Sequence, residues 1–307
     1  MDEGQGLNLY DVVVAGGGTA GLSAALVLGR SRISCLICNG GEVRNATAPE
    51  IHNYLSREGL SPQEFLKIGR EQIANYPSVE FSEDLVAAAV AEDNSFRIEL
   101  ASGRPVLAKK LILATGLEDE IPLIEGMRER WGISVLHCPF CHGWESRDLA
   151  WAVYGNNGKA VDLCLMAKGW TDRITLCTDG VAELTAAQRK TLRACGIAVR
   201  ESRVVRLEGD ETSLERMIFE DGEDLECQAV FLRPVKKQRS VIPNSLGCAV
   251  NADGLILVDE NGATTAQGVF AAGDATEPVL QVLAYAAFSG VRAGIGAAKS
   301  LFSERFA

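Results

Sequence analysis

The chain has 307 residues, 47% of them hydrophobic and 23% charged, and its formal net charge is −11 at pH 7. This length accommodates two domains, and no run approaches the roughly eighteen apolar residues of a membrane span. The acidic balance argues against nucleic acid or an anionic membrane surface as a partner. The amino terminus, Met1-Asp2-Glu3, lacks the basic and apolar regions of a secretory signal, so the nine cysteines predict a cytoplasmic protein with mostly free thiols.

The first predicted unit is a strand, a glycine-rich turn and a helix. Residues 10–15 form a short apolar run typical of a buried parallel strand, and an Ala/Leu-rich helix is predicted to about Leu28. Between them, Gly16 permits a tight turn, Gly18 lets the backbone approach a pyrophosphate, and Gly21 lets helix and strand pack closely. This framed pattern predicts a dinucleotide site, with a glycine-rich turn that binds no ligand as the alternative.

The second predicted strand, residues 33–38, ends at Asn39, where an acidic residue usually binds the ribose hydroxyls. Asn39 can still hydrogen-bond a ribose, although less strongly than a carboxylate. Cys35 and Cys38 lie within this strand at a spacing that directs their side chains to opposite faces. We therefore expect both cysteines in the core.

A second helix is predicted from the Ser61 cap and Pro62 to about Asn75. The strand-like segments that follow are residues 79–81, 86–91, 96–100 and 110–113. The last of them leads into Ala114-Thr115-Gly116, where glycine lets the chain pass close to a bound group.

The central part of the chain holds the cysteine pair best placed for chemistry, Cys138 and Cys141, framed by His137 and His142. Two thiols at this spacing can close a small disulfide ring and carry two electrons reversibly. The histidines offer proton acceptors near neutral pH, and Gly143 is expected to relax the backbone after the pair. Three alternatives remain for this pair. Haem c attachment would need export, and a structural zinc site would need a second cluster of ligands, which the sequence does not offer. The third alternative is a pair of buried thiols without chemistry.

A linker is predicted at residues 117–126, and the central part then contains a second, degraded nucleotide-binding pattern. Gly155 is in place, but Asn157 stands at the second glycine position and Ala160 at the third. The Cβ of Asn157 obstructs backbone approach to a pyrophosphate. No arginine follows the next strand, residues 174–177, closely enough in sequence to bind a 2′-phosphate. The pattern predicts a domain that keeps its fold but has lost its nicotinamide ligand.

The last motif is Gly273-Asp274 at the end of a predicted strand that begins at Gly268. A small-residue helix is predicted after it, from about Val279 to Leu301. A carboxylate at the end of a strand can bind a ribitol hydroxyl, and a helix N-terminus can face the electron-rich edge of a flavin. The alternative for Asp274 is a turn residue that caps this helix.

In this order the motifs resemble the low-molecular-weight thioredoxin reductase family over essentially the whole chain. The resemblance implies an α/β fold with two Rossmann-like nucleotide-binding domains and a homodimer. The expected FAD-binding domain is discontinuous, at residues 1–117 and 246–307, and an inserted NAD(P)-binding-like domain, residues 118–245, carries the redox pair. The residues expected to bind FAD are Gly16, Gly18, Thr19, Ala20, Gly21, Asn39, Arg44, Asn45, Asn53, Thr115, Gly116, Gly273, Asp274, Gln281 and Val282.

Three features depart from the NADPH-dependent members of that family: Asn157, the missing arginine-rich motif after Cys177, and His142 in place of the acidic residue after the second redox cysteine. The sequence around the pair, together with Arg44-Asn45 and His52-Asn53, is more similar to the branch of gliotoxin-type dithiol oxidases. Another branch of the family, the diflavin-linked disulfide oxidoreductases, also departs from nicotinamide use and holds a second FAD where nicotinamide would lie. A second flavin or nucleotide in the inserted domain is therefore an alternative to an empty site, whereas NADPH is not expected there.

Three functional hypotheses follow. In the first, the protein oxidises a dithiol without NADPH. A substrate thiolate attacks the Cys138–Cys141 disulfide, and His142 and His137 serve as bases. Cys141 is the thiol expected to lie nearer the flavin. In the second, it is a thioredoxin reductase fed by NAD(P)H or ferredoxin. In the third, it is a flavin-binding redox sensor without turnover. The expected partner is a dithiol small molecule or a thioredoxin-like protein, and no metal is predicted.

Overall fold

The computed structural model describes residues 7–277 and 279–306. The acidic amino-terminal residues, on which the prediction of no secretory signal rests, lie outside this part of the chain. Within the described residues, no helix is both long enough and apolar enough to cross a membrane.

The strands are β1 (Leu9–Ala15), β2 (Cys35–Cys38), β3 (Val79–Ser82), β4 (Val86–Glu92), β5 (Ser95–Leu100), β6 (Pro105–Leu113), β7 (Leu117–Glu120), β8 (Val135–Leu136), β9 (Trp151–Tyr154), β10 (Ile174–Cys177), β11 (Ala198–Arg200), β12 (Val204–Glu208), β13 (Arg216–Phe219), β14 (Asp224–Glu226), β15 (Ala229–Leu232), β16 (Val235–Gln238) and β17 (Val269–Ala271). The helices are α1 (Thr19–Arg30), α2 (Pro62–Ile73), α3 (Pro139–His142), α4 (Gly158–Ala167), α5 (Ala186–Ala194), α6 (Ile242–Ser245) and α7 (Leu283–Phe306), with a 3₁₀ turn at Gly273–Thr276.

The described chain divides into two compact units. The first consists of residues up to Ala46, Asn53–Glu118 and the residues from Lys237 onward; the second, which we call the middle unit, consists of Thr47–His52 and Asp119–Lys236. The chain passes between the units in β7 and β16, which pair as a two-stranded sheet. The boundary between the units after Glu118 lies within the predicted linker, residues 117–126, but the first residues of that linker form a strand, which the sequence did not predict. An acidic strand and a basic strand far apart in sequence pair here, and neither carries the apolar pattern that identifies a strand.

The first unit is built on a sheet with the order β3-β2-β1-β6-β5-β4, in which β17 also pairs with β6. Strands β1, β2, β3, β6 and β17 are parallel, whereas β4 and β5 are antiparallel to their neighbours. The run of apolar residues in β1 is buried on both faces of the sheet. Val12 and Val14 pack with α1 and α7, while Val13 packs with the core on the other face.

The two cysteines of β2 lie on opposite faces of this sheet, as the strand spacing predicts. Cys35 belongs to the core beside α1 and α7, and Cys38 belongs to the core on the other face. Burial raises the pKa of both thiols, that of Cys38 to about 12. These thiols are packing residues that stay protonated at neutral pH.

The middle unit contains a parallel sheet with the order β11-β10-β9-β15-β8 and a separate antiparallel sheet, β12-β13-β14. One face of the parallel sheet packs against α4, and the other packs against the antiparallel sheet. Parallel strands with helical crossovers recur in both units, which confirms the predicted α/β class with two Rossmann-like domains.

Candidate active site

Two glycines of the first turn are required by the fold itself. Gly16 follows β1 with a φ of 116°, and a Cβ there would lie 2.2 Å from the carbonyl oxygen of Ala114. A Cβ at Gly21, on α1, would lie 1.8 Å from the carbonyl oxygen of Gly16. Any larger residue at either position would separate the turn, the helix and the end of β6.

Two other glycines, Gly18 after β1 and Gly116 after β6, are not required by close packing, although the left-handed φ of 69° at Gly116 itself favours glycine. The nearest atom to a Cβ at Gly18 is a methyl of Val43 at 3.5 Å, an ordinary contact, and a Cβ at Gly116 would meet nothing within 4 Å. Next to Gly116 in the chain, the buried hydroxyl of Thr115 has no hydrogen-bond partner in the part of the chain that the structure describes. A buried polar atom without a partner is costly, so open backbone and an unpaired hydroxyl together indicate a polar ligand at this turn.

A hydrogen-bonded cluster joins the loop after β2 to the Gly-Asp turn. Arg44 Nη1 donates to Asp274 Oδ2 at 2.9 Å and to Gln281 Oε1 at 2.8 Å. Gln281 in turn donates to the carbonyl oxygen of Glu277. Asp274 lies in the 3₁₀ turn, well before the first residue of α7, so the alternative in which it caps that helix is wrong.

The Gly-Asp turn also touches the start of α1. A Cβ at Gly273, whose φ is 77°, would lie 3.0 Å from Ala20 Cβ, and the Gly273 amide donates to Ser289 Oγ on α7. Asn39 reaches the glycine turn as well, because a Cβ at Gly17 would lie 2.4 Å from its side chain.

The remaining predicted cofactor residues lie around these groups. Thr19 begins α1 and Val282 directly precedes α7, which starts later than the sequence predicts. Asn45 lies in a turn in which the Ala46 amide donates to the carbonyl of Val43. Asn53 has a left-handed φ of 62°, and its amide donates to the Glu58 carboxylate at 2.8 Å.

The cysteine pair of the middle unit forms a disulfide. Cys138 and Cys141 are bonded through sulfur across the short helix α3, with their Cα atoms 5.3 Å apart. Gly143 follows α3 in a helical conformation, and a Cβ there would lie 2.4 Å from the carbonyl oxygen of Pro139 and 2.8 Å from the ring of Trp170. The expectation that Gly143 relaxes the backbone is therefore wrong; glycine is needed because the Pro139 carbonyl and Trp170 pack directly against it.

The histidines beside the pair lie in different environments. His142 closes α3, and its buried Nδ1 has no hydrogen-bond partner among the described residues. Burial and, to a lesser extent, neighbouring His52 lower the pKa of His142, while Glu145 raises it. His142 is therefore neutral at pH 7 and can accept a proton. His137 stacks on Trp131 with ring centroids 5.6 Å apart.

His52 was not predicted as a site residue. Its ring meets the His142 ring edge-on, with centroids 6.4 Å apart. Two sequence signals could have pointed to it. His52-Asn53 contributes to the family resemblance, and the chain has three histidines in all, two of which flank the disulfide.

Two aromatic side chains that are close in sequence to the disulfide are exposed on the middle unit. Phe140, between the two cysteines, is 65% exposed and meets Trp170 edge-on at 5.3 Å. Trp144 is exposed to a similar extent and lies under the guanidinium of Arg147. Exposed aromatic surface next to a redox pair can hold the apolar part of a thiol substrate.

The degraded nucleotide pattern of the middle unit is closed by its own hydrogen bonds. Asn157 caps α4 by accepting from the Ala160 amide at 3.1 Å. Asn156 donates to the carbonyl of Val181 and accepts from the amide of Glu183. These side chains therefore bind the chain where a dinucleotide site would offer open backbone.

An arginine does lie near the end of β10 in space. Arg200 is the cross-strand partner of Cys177, although it is distant from it in sequence. Its guanidinium is paired with Asp221 at 2.6 Å and with Glu223 at 3.3 Å, and it lies over the ring of Phe219. Across the described residues, no cluster of three or more His, Cys, Asp or Glu could hold a metal ion.

Comparison with known proteins identifies the family to which the chain is similar. The family model "Pyridine nucleotide-disulphide oxidoreductase" matches residues 10–290. "Thioredoxin reductase tcpT" of Claviceps purpurea is 30% identical over 308 residues, covering 97% of this chain and 96% of that protein.

Solved structures are similar over almost the whole chain. TrxB from Bacillus anthracis has a TM-score of 0.92 at 30% identity, covering 96% of this chain and 100% of that one. An oxidoreductase from Agrobacterium tumefaciens has a TM-score of 0.89 at 36% identity, covering 96% and 99%. The predicted resemblance is confirmed: the protein is a thioredoxin reductase-like flavoprotein and a disulfide oxidoreductase. The chain belongs to the pyridine nucleotide-disulphide oxidoreductase family.

Proposed function

We propose that this protein is a FAD-dependent oxidase of a dithiol substrate, which acts through the Cys138–Cys141 disulfide and does not need NADPH. The observation that carries the proposal is the closed turn after β9, where Asn156 and Asn157 hydrogen-bond to the chain itself. A nicotinamide nucleotide would have to displace these bonds before it could bind there.

The family implies FAD, and the residues of the first unit fit it. The open backbone at Gly18 and Gly116 and the unpaired hydroxyl of Thr115 would accept a polar group, and the amides of Thr19 and Ala20 at the start of α1 suit a pyrophosphate. Asp274, held by Arg44, would bind a ribitol hydroxyl. The other residues proposed to line the FAD are Gly16, Gly21, Asn39, Asn45, Asn53, Gly273, Gln281 and Val282.

The chain's own residues carry the exchange with the substrate. One substrate thiolate attacks a sulfur of the Cys138–Cys141 bond, which forms a mixed disulfide and releases the other cysteine as a thiolate. The second substrate thiol then displaces the mixed disulfide, so the substrate leaves oxidised and the enzyme holds two thiols. His142 takes the proton of the attacking thiol, with His137 as the second proposed base. Bound FAD would supply the two-electron acceptor that returns the enzyme thiols to the disulfide.

The proposal extends to the assembly and the domains. We infer that the first unit is the FAD-binding domain and the middle unit the inserted domain, in a cytoplasmic homodimer, as the family resemblance implies. The substrate is a small dithiol or a thioredoxin-like protein, and the exposed Phe140 and Trp144 favour the apolar small molecule.

A second candidate function is a thioredoxin reductase fed by NAD(P)H. It is favoured by Arg200, a cation at the end of β11 beside the end of β10, where a 2′-phosphate would lie. Asp221 and Glu223 already neutralise this guanidinium, so phosphate binding would require it to exchange partners.

Anaerobic reduction of the purified holoenzyme tests the proposal. Dithiothreitol should bleach the flavin absorbance, whereas NADPH and NADH should leave it unchanged over the same time. The control is Cys138→Ser, which keeps the flavin spectrum but should lose bleaching by dithiothreitol. Rapid bleaching of the unmodified enzyme by NADPH would overturn the proposal in favour of the reductase.

A further inference from the structure

A segment outside the main run of the middle unit brings His52 to the disulfide. Residues Thr47–His52 group with the middle unit although the chain on either side of them belongs to the first. Ala48 and Ile51 are buried. Gly132, with a φ of 85°, lets this segment approach, because a Cβ there would lie 2.3 Å from Thr47 Oγ1. The position of His52 is therefore set by packing.

His52 lies between a second histidine and two carboxylates. Its Nε2 is 3.6 Å from Glu145 Oε1 and 3.9 Å from Glu50 Oε2. The side chain of His52 is 13% exposed, so these charges act across partly desolvated space. The ionisable groups that face His142 are His52 from this segment, Glu145 from the turn after α3, and the cysteine pair on α3 itself.

We propose that His52 and Glu145 are positioning residues that act on His142 with opposite sign and so set the pH range in which His142 accepts the proton of an attacking thiol. This inference rests on the proposed role of His142 in thiol–disulfide exchange.

The sign of each effect follows from charge. A protonated His52 opposes a second proton on His142, and it therefore adds to burial in lowering the pKa of His142. The Glu145 carboxylate favours the protonated form and raises that pKa. Removing His52 should therefore raise the pKa of His142, and removing the Glu145 charge as well should bring it down again.

The test follows the His142 ring by NMR during a pH titration of the oxidised holoenzyme. With three histidines in the chain, the ring signals can be assigned with His137→Gln and His142→Gln. In His52→Gln the pH at the midpoint of the His142 titration should be higher than in the unmodified protein. In the double variant His52→Gln/Glu145→Gln this midpoint should be lower than in the single variant. The His137 signal should not move.

Glu50→Gln is the matched control, since Glu50 lies beside His52 but is not among the charges that shift the pKa of His142 directly. The midpoint of the His142 titration should therefore move less in Glu50→Gln than in His52→Gln. If His52→Gln does not fold, His52→Asn serves the same purpose. An unchanged His142 titration in the His52 variant, or a midpoint in the double variant at or above that of the single variant, would overturn the inference. Because no turnover is measured, this result is independent of whether NADPH reduces the flavin.

Discussion

Thr115 and His142 share a feature that is visible only at the scale of single atoms. Each carries a buried polar atom with no hydrogen-bond partner among the described residues. Buried polar groups are almost always paired, so such exceptions indicate either a ligand or a group that reacts. Thr115 follows β6 next to Gly116, and His142 follows Cys141 of the disulfide.

Replacing Thr115 with valine separates a ligand role from a packing role. In Thr115→Val, FAD binding to the apoprotein should weaken about fivefold, the equivalent of about 1 kcal/mol for one hydrogen bond. The apoprotein should keep or gain thermal stability, because a buried unpaired hydroxyl is removed. Fluorescence titration with FAD and thermal unfolding measure the two effects.

Thr276→Val is the control, because the buried Thr276 hydroxyl donates to the carbonyl of Gly273 within the chain. This variant should lose stability in the apoprotein. Equal FAD affinity in Thr115→Val and the unmodified protein would contradict the ligand role of Thr115.

The neutral state of His142 predicts a particular pH dependence of thiol exchange. In His142→Gln, reduction of the disulfide by dithiothreitol should slow by about 100-fold at pH 7, as for loss of a general base. The ratio of the reduction rates of the unmodified enzyme and His142→Gln measures the contribution of this base. Because burial holds the pKa of His142 below its usual value of 6.5, the ratio should remain high down to about pH 6.5 and fall only at lower pH. Stopped-flow reduction at several pH values measures this ratio, and a ratio that already falls above pH 7 would contradict it.

Helices α1 and α7 are the elements that hold the first unit's turns together. They cross closely because small residues meet at the contact. A Cβ at Gly290 would lie 2.1 Å from the carbonyl oxygen of Ala20, and one at Gly294 would lie 2.9 Å from that of Ala24. The same contact fixes the N-terminal turn of α1 relative to the Gly-Asp turn, since Ala20 also touches Gly273.

Gly290→Ala should therefore affect both stability and the cofactor. Overpacking at a backbone contact costs about 1–3 kcal/mol, and the displaced start of α1 should bind FAD less tightly. Gly69→Ala is the matched control, because its Cβ would meet only the flexible end of Leu22 at 3.3 Å. Urea unfolding and FAD titration should show a loss in the first variant and little change in the second.

At the scale of the whole molecule, each unit has its own candidate chemistry. The first unit carries the predicted FAD residues, and the middle unit carries the disulfide, its histidines and the closed nucleotide turn. Several elements hold that turn closed, since its partners come from α4 and from the chain after β10. A single substitution is not expected to reopen it.

Asn157→Gly tests this expectation. It restores the glycine pattern, and since glycine is itself an adequate cap it should cost only roughly a few tenths of a kcal/mol, against about 1 kcal/mol for Asn157→Ala. NADPH should still fail to bleach the flavin, because Asn156 and the carboxylates on Arg200 remain. Rapid bleaching of Asn157→Gly would show that Asn157 alone excludes the nucleotide.

The sequence by itself determined the features that depend on a few adjacent residues. The strand–glycine–helix unit, the cysteine pair with its flanking histidines, the opposite faces of Cys35 and Cys38, and the α/β class all follow from backbone conformation and side-chain period, which are local. The sequence did not predict where the last helix begins or that residues 117–120 form a strand. Small-residue and charged segments lack the alternation of apolar and polar residues that identifies helices and strands.

Only the tertiary structure decided which distant residues meet. It brought His52 to His142, set Arg200 beside Cys177 between two carboxylates, and joined Arg44 to Asp274 and Gln281. Those contacts arise when whole strands and loops pack, and no short stretch of sequence encodes them. The electrostatic setting of the candidate base is consequently a property of the fold, whereas the dithiol it serves is a property of the sequence.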